Sequence, residues 1–106
     1  MNIIICGAGR VGFTIAKQLS EQGHSITVID QSSEDIKKID DALDVKAIVG
    51  KATYPSILEK ANASDADMII AVTRNDEINM VICQIAFSIF NIPKKIARIR
   101  SQDYLN

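Results

Sequence analysis

A glycine-rich hexapeptide, Gly7-Ala8-Gly9-Arg10-Val11-Gly12, stands directly behind the apolar run Asn2-Ile3-Ile4-Ile5-Cys6. This pairing constrains the fold more than any other feature of the chain. A short apolar run reads as a buried strand, and glycines placed this way let the chain turn off it into a closely packed helix. The next apolar run, Ser25-Ile26-Thr27-Val28-Ile29, ends on Asp30, roughly twenty residues past the glycines. Strand, glycines, helix, strand and terminal carboxylate, in that order, imply a nucleotide site. Gly7 allows the turn, Gly9 removes a side chain where a pyrophosphate approaches the backbone, and Gly12 admits the helix close to the sheet. The helix presents free N–H groups and a positive dipole end to phosphates. Asp30 can accept hydrogen bonds from ribose hydroxyls. A turn that merely closes a strand–helix unit needs neither Gly9 nor Asp30.

Strands and helices alternate to the end of the chain. The first helix is predicted from Arg10 to about Gln22, with Val11, Ile15 and Leu19 at helical spacing and Gly23 as its stop. Ser32 and Ser33 can cap a second helix edged by Ile36, Ile39 and Leu43, with Asp35 placed for a capping box. Residues 45–49 read as the third strand, closed by Gly50, and a short helix follows Pro55. Residues 68–72 read as the fourth strand, Asp76 and Glu77 open a long helix through about Phe90, and residues 95–99 read as the fifth strand. This alternation predicts a parallel sheet covered on both faces. Right-handed crossovers give strand order 3-2-1-4-5, a single α/β domain of the doubly wound, Rossmann type. Ligands bind such sheets at the carboxyl ends of the strands. Loops 7–12, 30–33, 50–53, 73–76 and 100–103 therefore form the functional edge. His24 precedes the second strand, on the opposite edge, and reads as an exposed turn residue.

Composition narrows the function classes. The 106 residues, 47% hydrophobic, suit one domain with a real core. A net charge of −1 supplies no global basic field for nucleic acid or anionic membrane. Neither a secretory leader nor a membrane-length apolar run is visible. Cys6 and Cys83 each lie inside an apolar segment and read as packing thiols; with one histidine they give a zinc site no support.

Individual charges carry more. Arg10 at a helix start opposes the dipole, which an anionic partner explains better than solvent does. Arg98 stands among apolar strand residues and needs a partner, either a ligand phosphate or a carboxylate such as Asp76 or Glu77. Asp30 has a second reading as a capping acid ahead of Ser32. Its charge repels a 2′-phosphate, and Gln31, Ser32 and Ser33 offer no cation in compensation, so NAD or NADH is preferred to NADP. Arg74 and Lys51 read as ordinary exposed charges. The helix from Ile78 to Phe90 is apolar nearly all round. One face must cover the sheet; the other is either deep core or a subunit interface, with Met80, Ile82 and Phe87 as interface candidates.

Several stretches together resemble a known family. They are Ile5-Cys6-Gly7-Ala8-Gly9-Arg10-Val11-Gly12, Val28-Ile29-Asp30, Gly50-x-Ala52-Thr53, Ala71-Val72-Thr73 with Asp76-Glu77-x-Asn79, and Ala97-Arg98-Ile99-Arg100. The chain resembles, over essentially its whole length, the N-terminal nucleotide-binding domain of TrkA-type proteins, also called the RCK or KTN domain. The resemblance implies that Gly7, Ala8, Gly9, Arg10 and Val11, with Gly12 behind them, hold a pyrophosphate, and that Asp30 holds the adenosine ribose. It implies that Thr73 and Arg74 border the second nucleoside and that Arg98 reaches toward the nucleotide. In related Ktr subunits the residue matching Arg10 contacts a terminal phosphate, so ATP or ADP is the alternative ligand to NAD or NADH. The family usually carries an acid after the third-strand glycine, where this chain has Lys51. The backbone of Gly50, Ala52 and Thr53 remains beside the adenine, but the acid's contact is lost.

The implied role is regulatory rather than enzymatic. Ligand binding changes a homo-oligomeric ring, dimer or higher, assembled through the helix Ile78–Phe90. The ring lies in the cytoplasm, at the inner face of the membrane through its partner, a potassium transporter or channel subunit. The resemblance also implies a longer protein continuing past Asn106, with residues 101–106 starting a further helix. Two other functions stay open. One is the cofactor domain of an NAD-dependent dehydrogenase, for which no proton donor or acceptor is well placed. The other is an assembly module with a degenerate pocket, against which the glycines and Asp30 argue.

Overall fold

The computed structural model describes residues 1–105. Strands β1 (Asn2–Cys6), β2 (Ser25–Asp30), β3 (Lys46–Val49), β4 (Met68–Ala71) and β5 (Lys94–Ala97) form one sheet in the order β3-β2-β1-β4-β5, every neighbouring pair parallel. Helices α1 (Arg10–Glu21), α2 (Ser33–Ala42), α3 (Pro55–Lys60) and α4 (Asp76–Ser88) make the crossovers. This is the doubly wound Rossmann-type architecture expected from the alternation.

Side chains along a strand point to alternate faces. Ile3 and Ile5 join one core with Ala16, Val28, Ile36, Ile39 and Ile70. Ile4 and Cys6 join the other with Ile29, Leu58, Ile69, Ile82 and Ala86. Helices α1 and α2 therefore cover one face, and α3 and α4 cover the other. A strand buried on both sides has no solvent-facing positions, which is why β1 is a nearly continuous apolar run. The Cys6 thiol is fully buried, and that burial, aided by Cys83 and Asp30, pushes its pKa far up. Both cysteines are free, as packing thiols should be.

Several element boundaries depart from the periodicity. β5 runs Lys94–Ala97 rather than over 95–99. Arg98 thus lies one residue beyond the strand: its N–H still donates to the Ala71 carbonyl at 2.9 Å, but its own carbonyl turns to the Asn79 side chain. α4 stops at Ser88, short of Phe90. Asn91 takes a left-handed φ of 53°, and the Ile92 N–H returns to the Ala86 carbonyl. Past β5 the expected helix start is a short 3-10 turn, Gln102–Tyr104; Asn106 lies outside the described residues. His24 is half-buried rather than exposed, with Nδ1 3.0 Å from the Met1 amine at the edge opposite the glycines. Ile82, an expected interface residue, is fully buried, whereas Met80 and Phe87 are exposed.

Candidate functional site

β1 delivers the chain into Gly7, where the left-handed φ of 117° disfavours any side chain and an added β-carbon would stand only 2.8 Å from the Val72 carbonyl oxygen. The Gly7 N–H donates to the Ile29 carbonyl at 2.8 Å, tying the turn to β2. A β-carbon on Gly12 would collide with the Gly7 carbonyl oxygen, so α1 rests its first turn directly on the glycine loop. A β-carbon on Gly9 would meet nothing within 4 Å. No side chain caps α1, and its first turn holds no acid. By contrast, Ser32 Oγ caps α2 by accepting from Asp35 N, and Asn75 Oδ1 caps α4 by accepting from Ile78 N. The α1 terminus keeps its positive end open for an anion from outside the chain.

Asp30 faces this terminus from the end of β2. Its Oδ2 accepts the Ala8 N–H at 2.7 Å and its Oδ1 accepts the Ser32 N–H at 2.8 Å. Asp30 is half-buried and precedes the cap of α2, which is Ser32. It orients the glycine loop and starts the turn into α2, while each oxygen retains a second lone pair. The capping box expected at Ser32 and Asp35 is half made, because the Ser32 N–H is spent on Asp30.

The opposite flank is organised by the asparagine of the Asp76-Glu77-x-Asn79 stretch, whose role the sequence does not disclose. Asn79 is fully buried, and its amide binds Thr73 N, Thr73 Oγ1, Thr73 O and Arg98 O. One amide in an otherwise apolar helix stretch is the signal that a partner must exist. Arg98 pairs with neither Asp76 nor Glu77, contrary to one expectation. Its Nη2 donates to the Thr73 carbonyl at 2.9 Å, and its buried Nε has no partner. The carboxylates are engaged elsewhere. Asp76 accepts from Ser101 N at 2.8 Å and Arg100 N at 3.1 Å, which holds its carboxyl below the usual range. Glu77 accepts the Tyr104 hydroxyl at 3.1 Å, raising the phenol above its ordinary value.

Between the two flanks lies a crevice of about 850 Å³, within the ligand-sized range. Gly7, Gly9, Arg10, Val11, Asp30, Thr73, Arg74 and Arg98 line it; Ala8 and Gly12, both buried, lie beneath. Asn75 and Arg100, from two of the loops expected at the functional edge, also line it; Asp35 and a floor of Ile29, Ile78 and Ile82 join from outside those loops. Lys51 lines the β3 end, with its Nζ 5.5 Å above the Tyr54 ring. Arg10, Lys51, Arg74, Arg98 and Arg100 face the crevice against Asp30 and Asp35. None of these cations is salt-bridged among the described residues, where Lys37–Asp41 is the only pair. The described residues contain no cluster of three metal ligands and no helix long and apolar enough to cross a membrane.

Comparison with known proteins places the fold and the family. Over 105 residues the chain is 48% identical to the Trk system potassium uptake protein TrkA of Azorhizobium caulinodans, covering 99% of this chain and 23% of that protein. The chain therefore spans less than a quarter of such a relative's length. It is similar in structure to a Kef CTD from Shewanella denitrificans in an AMP-bound form, with TM-score 0.77 and 27% identity, covering 91% of this chain and 57% of that one. It shares its fold with the NAD(P)-binding domain of an exopolyphosphatase-related protein from Archaeoglobus fulgidus, with TM-score 0.83 and 21% identity, covering 95% and 74%. Residues 3–106 match the model of one family, and on that match and these relatives the chain belongs to the TrkA-N domain family.

Proposed function

We propose that this domain is a nucleotide-binding regulatory module of a potassium uptake system. One observation carries the reading: the uncapped N-terminus of α1 faces a carboxylate that the glycine loop itself orients. NAD or NADH fits this arrangement, with its pyrophosphate on the Gly7–Val11 backbone and its adenosine ribose on Asp30. The second nucleoside lies beside Thr73 and Arg74, and Arg98 reaches toward the nucleotide. ATP or ADP is the alternative, with Arg10 serving the terminal phosphate. The AMP-bound Kef neighbour supports an adenine nucleotide.

The domain acts by biasing an oligomeric ring whose potassium transporter or channel partner sits in the membrane, so the ring works from the cytoplasmic face. A ligand can do this only through unequal affinity for two arrangements, and about 1.4 kcal/mol changes their ratio tenfold. The exposed face of α4, with Met80, Val81 and Phe87, is the homo-oligomer surface. A dehydrogenase role has less support. The crevice lining includes no histidine, tyrosine or cysteine, and its one lysine, Lys51, stands at the β3 end.

Titration of the chain with NADH, NAD, ATP and ADP, followed by fluorescence and melting temperature, tests the proposal. Saturable binding is expected, abolished by Asp30→Ala, while Arg10→Ala weakens ATP more than NADH. Asp30→Ala also frees two backbone donors, at a cost of about 1–3 kcal/mol, so its circular dichroism is recorded alongside. Silence toward all four nucleotides would return the domain to a purely structural role. Oxidation of NADH with an aldehyde substrate would make it an enzyme.

A further inference from the structure

Asn79 sits beneath the crevice and spends its whole hydrogen-bonding capacity. Its Oδ1 accepts from Thr73 N at 2.9 Å and Thr73 Oγ1 at 2.6 Å; its Nδ2 donates to Thr73 O at 3.2 Å and Arg98 O at 2.9 Å. The Arg98 guanidinium closes the circuit by donating to the same Thr73 carbonyl. Thr73 and Arg98 both line the crevice. One turn earlier on α4, Asp76 grips the amides of Arg100 and Ser101, and Glu77 takes the Tyr104 hydroxyl. The first two turns of α4 thus hold the crevice rim with one set of side chains and the segment leaving β5 with another. Arg98 belongs to both, and its Nε is buried without a partner.

We infer that Asn79 is a positioning residue that couples occupancy of the crevice to the path of the chain after β5. The inference rests on the nucleotide reading above. A phosphate that draws the Arg98 guanidinium off the Thr73 carbonyl changes what that carbonyl demands of Asn79. Asn79 cannot adjust its Thr73 bonds without shifting the Arg98 carbonyl, because a buried amide has no water to substitute. Arg98 is two residues from the first amide on Asp76, so the shift reaches the exit segment directly. A ligand near the glycines is thereby felt where the chain leaves the sheet.

Amide hydrogen exchange on the 106-residue chain, with NADH and ATP as probes, tests this. In the wild type either nucleotide should slow the Gly9–Val11 amides and change exchange at Arg100 and Ser101 about fivefold or more, the low end of measured couplings. Asn79→Asp keeps the acceptors for Thr73 and loses both donors. Its glycine loop should still be protected, with no response at Arg100 and Ser101. Should that variant fail to fold, the surface variant Asp76→Ala decides: Arg100 and Ser101 should exchange fast with or without nucleotide while the glycine loop stays protected. A merely structural Asn79 would lower the melting temperature without separating the two responses. Wild-type protection confined to the glycine loop overturns the inference and leaves nucleotide binding standing. A surviving response at Arg100 and Ser101 in either variant also overturns it. No protection anywhere, with NAD and ADP tried as well, removes both.

Discussion

A β-carbon at Gly12 strikes the carbonyl oxygen of Gly7, whereas one at Gly9 projects into open crevice. The two substitutions should therefore separate folding from binding. Gly12→Ala overpacks a backbone contact and is expected to destabilise by about 3 kcal/mol, read from urea unfolding. Gly9 has an ordinary φ of −74°, so Gly9→Ala should change stability by at most about 1 kcal/mol, in the stabilising direction, while NADH affinity falls. Asp76 supplies a pH test. The amides of Ser101 and then Arg100 lower its carboxyl below the ordinary 3.8, and the charges of Arg100 and Arg98 add to the effect. A group lowered in the folded state contributes stability above its unfolded pKa and loses it as pH falls through the folded value. The Ser101 amide chemical shift should therefore titrate below pH 3.8, and Asp76→Asn should abolish that titration. At this scale the glycines and Asp30 were legible because their demands are local. The partner of Arg98 was not, because it depends on where β5 lets go of the sheet.

Helix α4 shows how an element divides its surface. Asn79, Ile82 and Ala86 turn to the sheet and are buried, while Met80, Val81 and Phe87 stay exposed at 36%, 47% and 57%. Sequence could not separate the two faces, because apolar residues occupy both and periodicity loses its contrast. Ile82 therefore reads as an interface candidate from sequence, although it is fully buried against the sheet. If the outer face joins two copies, Val81→Glu should shift sedimentation from dimer or larger to monomer. Fold stability of the monomer should change by no more than about 0.5 kcal/mol, because the exposed side chain supports no core contact. Unchanged sedimentation of both chains as monomers would remove α4 as the assembly surface. The strands were more legible than this helix. Burial on both faces requires apolar residues at every position, a demand visible in β1 and β4 without any partner in view.

Across the whole molecule, charge is sorted rather than abundant. The chain carries a net charge of −1, yet the crevice gathers Arg10, Lys51, Arg74, Arg98 and Arg100 around two carboxylates, Asp30 and Asp35. The local field attracts phosphates despite the acidic whole. ATP affinity should therefore fall as salt rises and the Debye length shrinks from about 10 Å at 0.1 M to about 3 Å at 1 M. NADH affinity should fall less, since it carries fewer charges; equal salt sensitivity would argue against a phosphate on these cations. Ligand at a hundred times its dissociation constant should stabilise the domain by about 2.7 kcal/mol, measurable as a rise in melting temperature.

Sequence alone determined the sheet, its strand order, the glycine turn and the carboxylate at the end of β2. Each follows from short-range rules: burial on both faces, the handedness of crossovers, and backbone space for a turn. Tertiary structure alone decided which face of α4 meets the sheet, that Asp30 spends its oxygens on the Ala8 and Ser32 amides, and that Asn79 joins Thr73 to Arg98. Those pairings link residues from different elements. A buried polar group announces that it needs a partner, but only the packed chain brings one within reach.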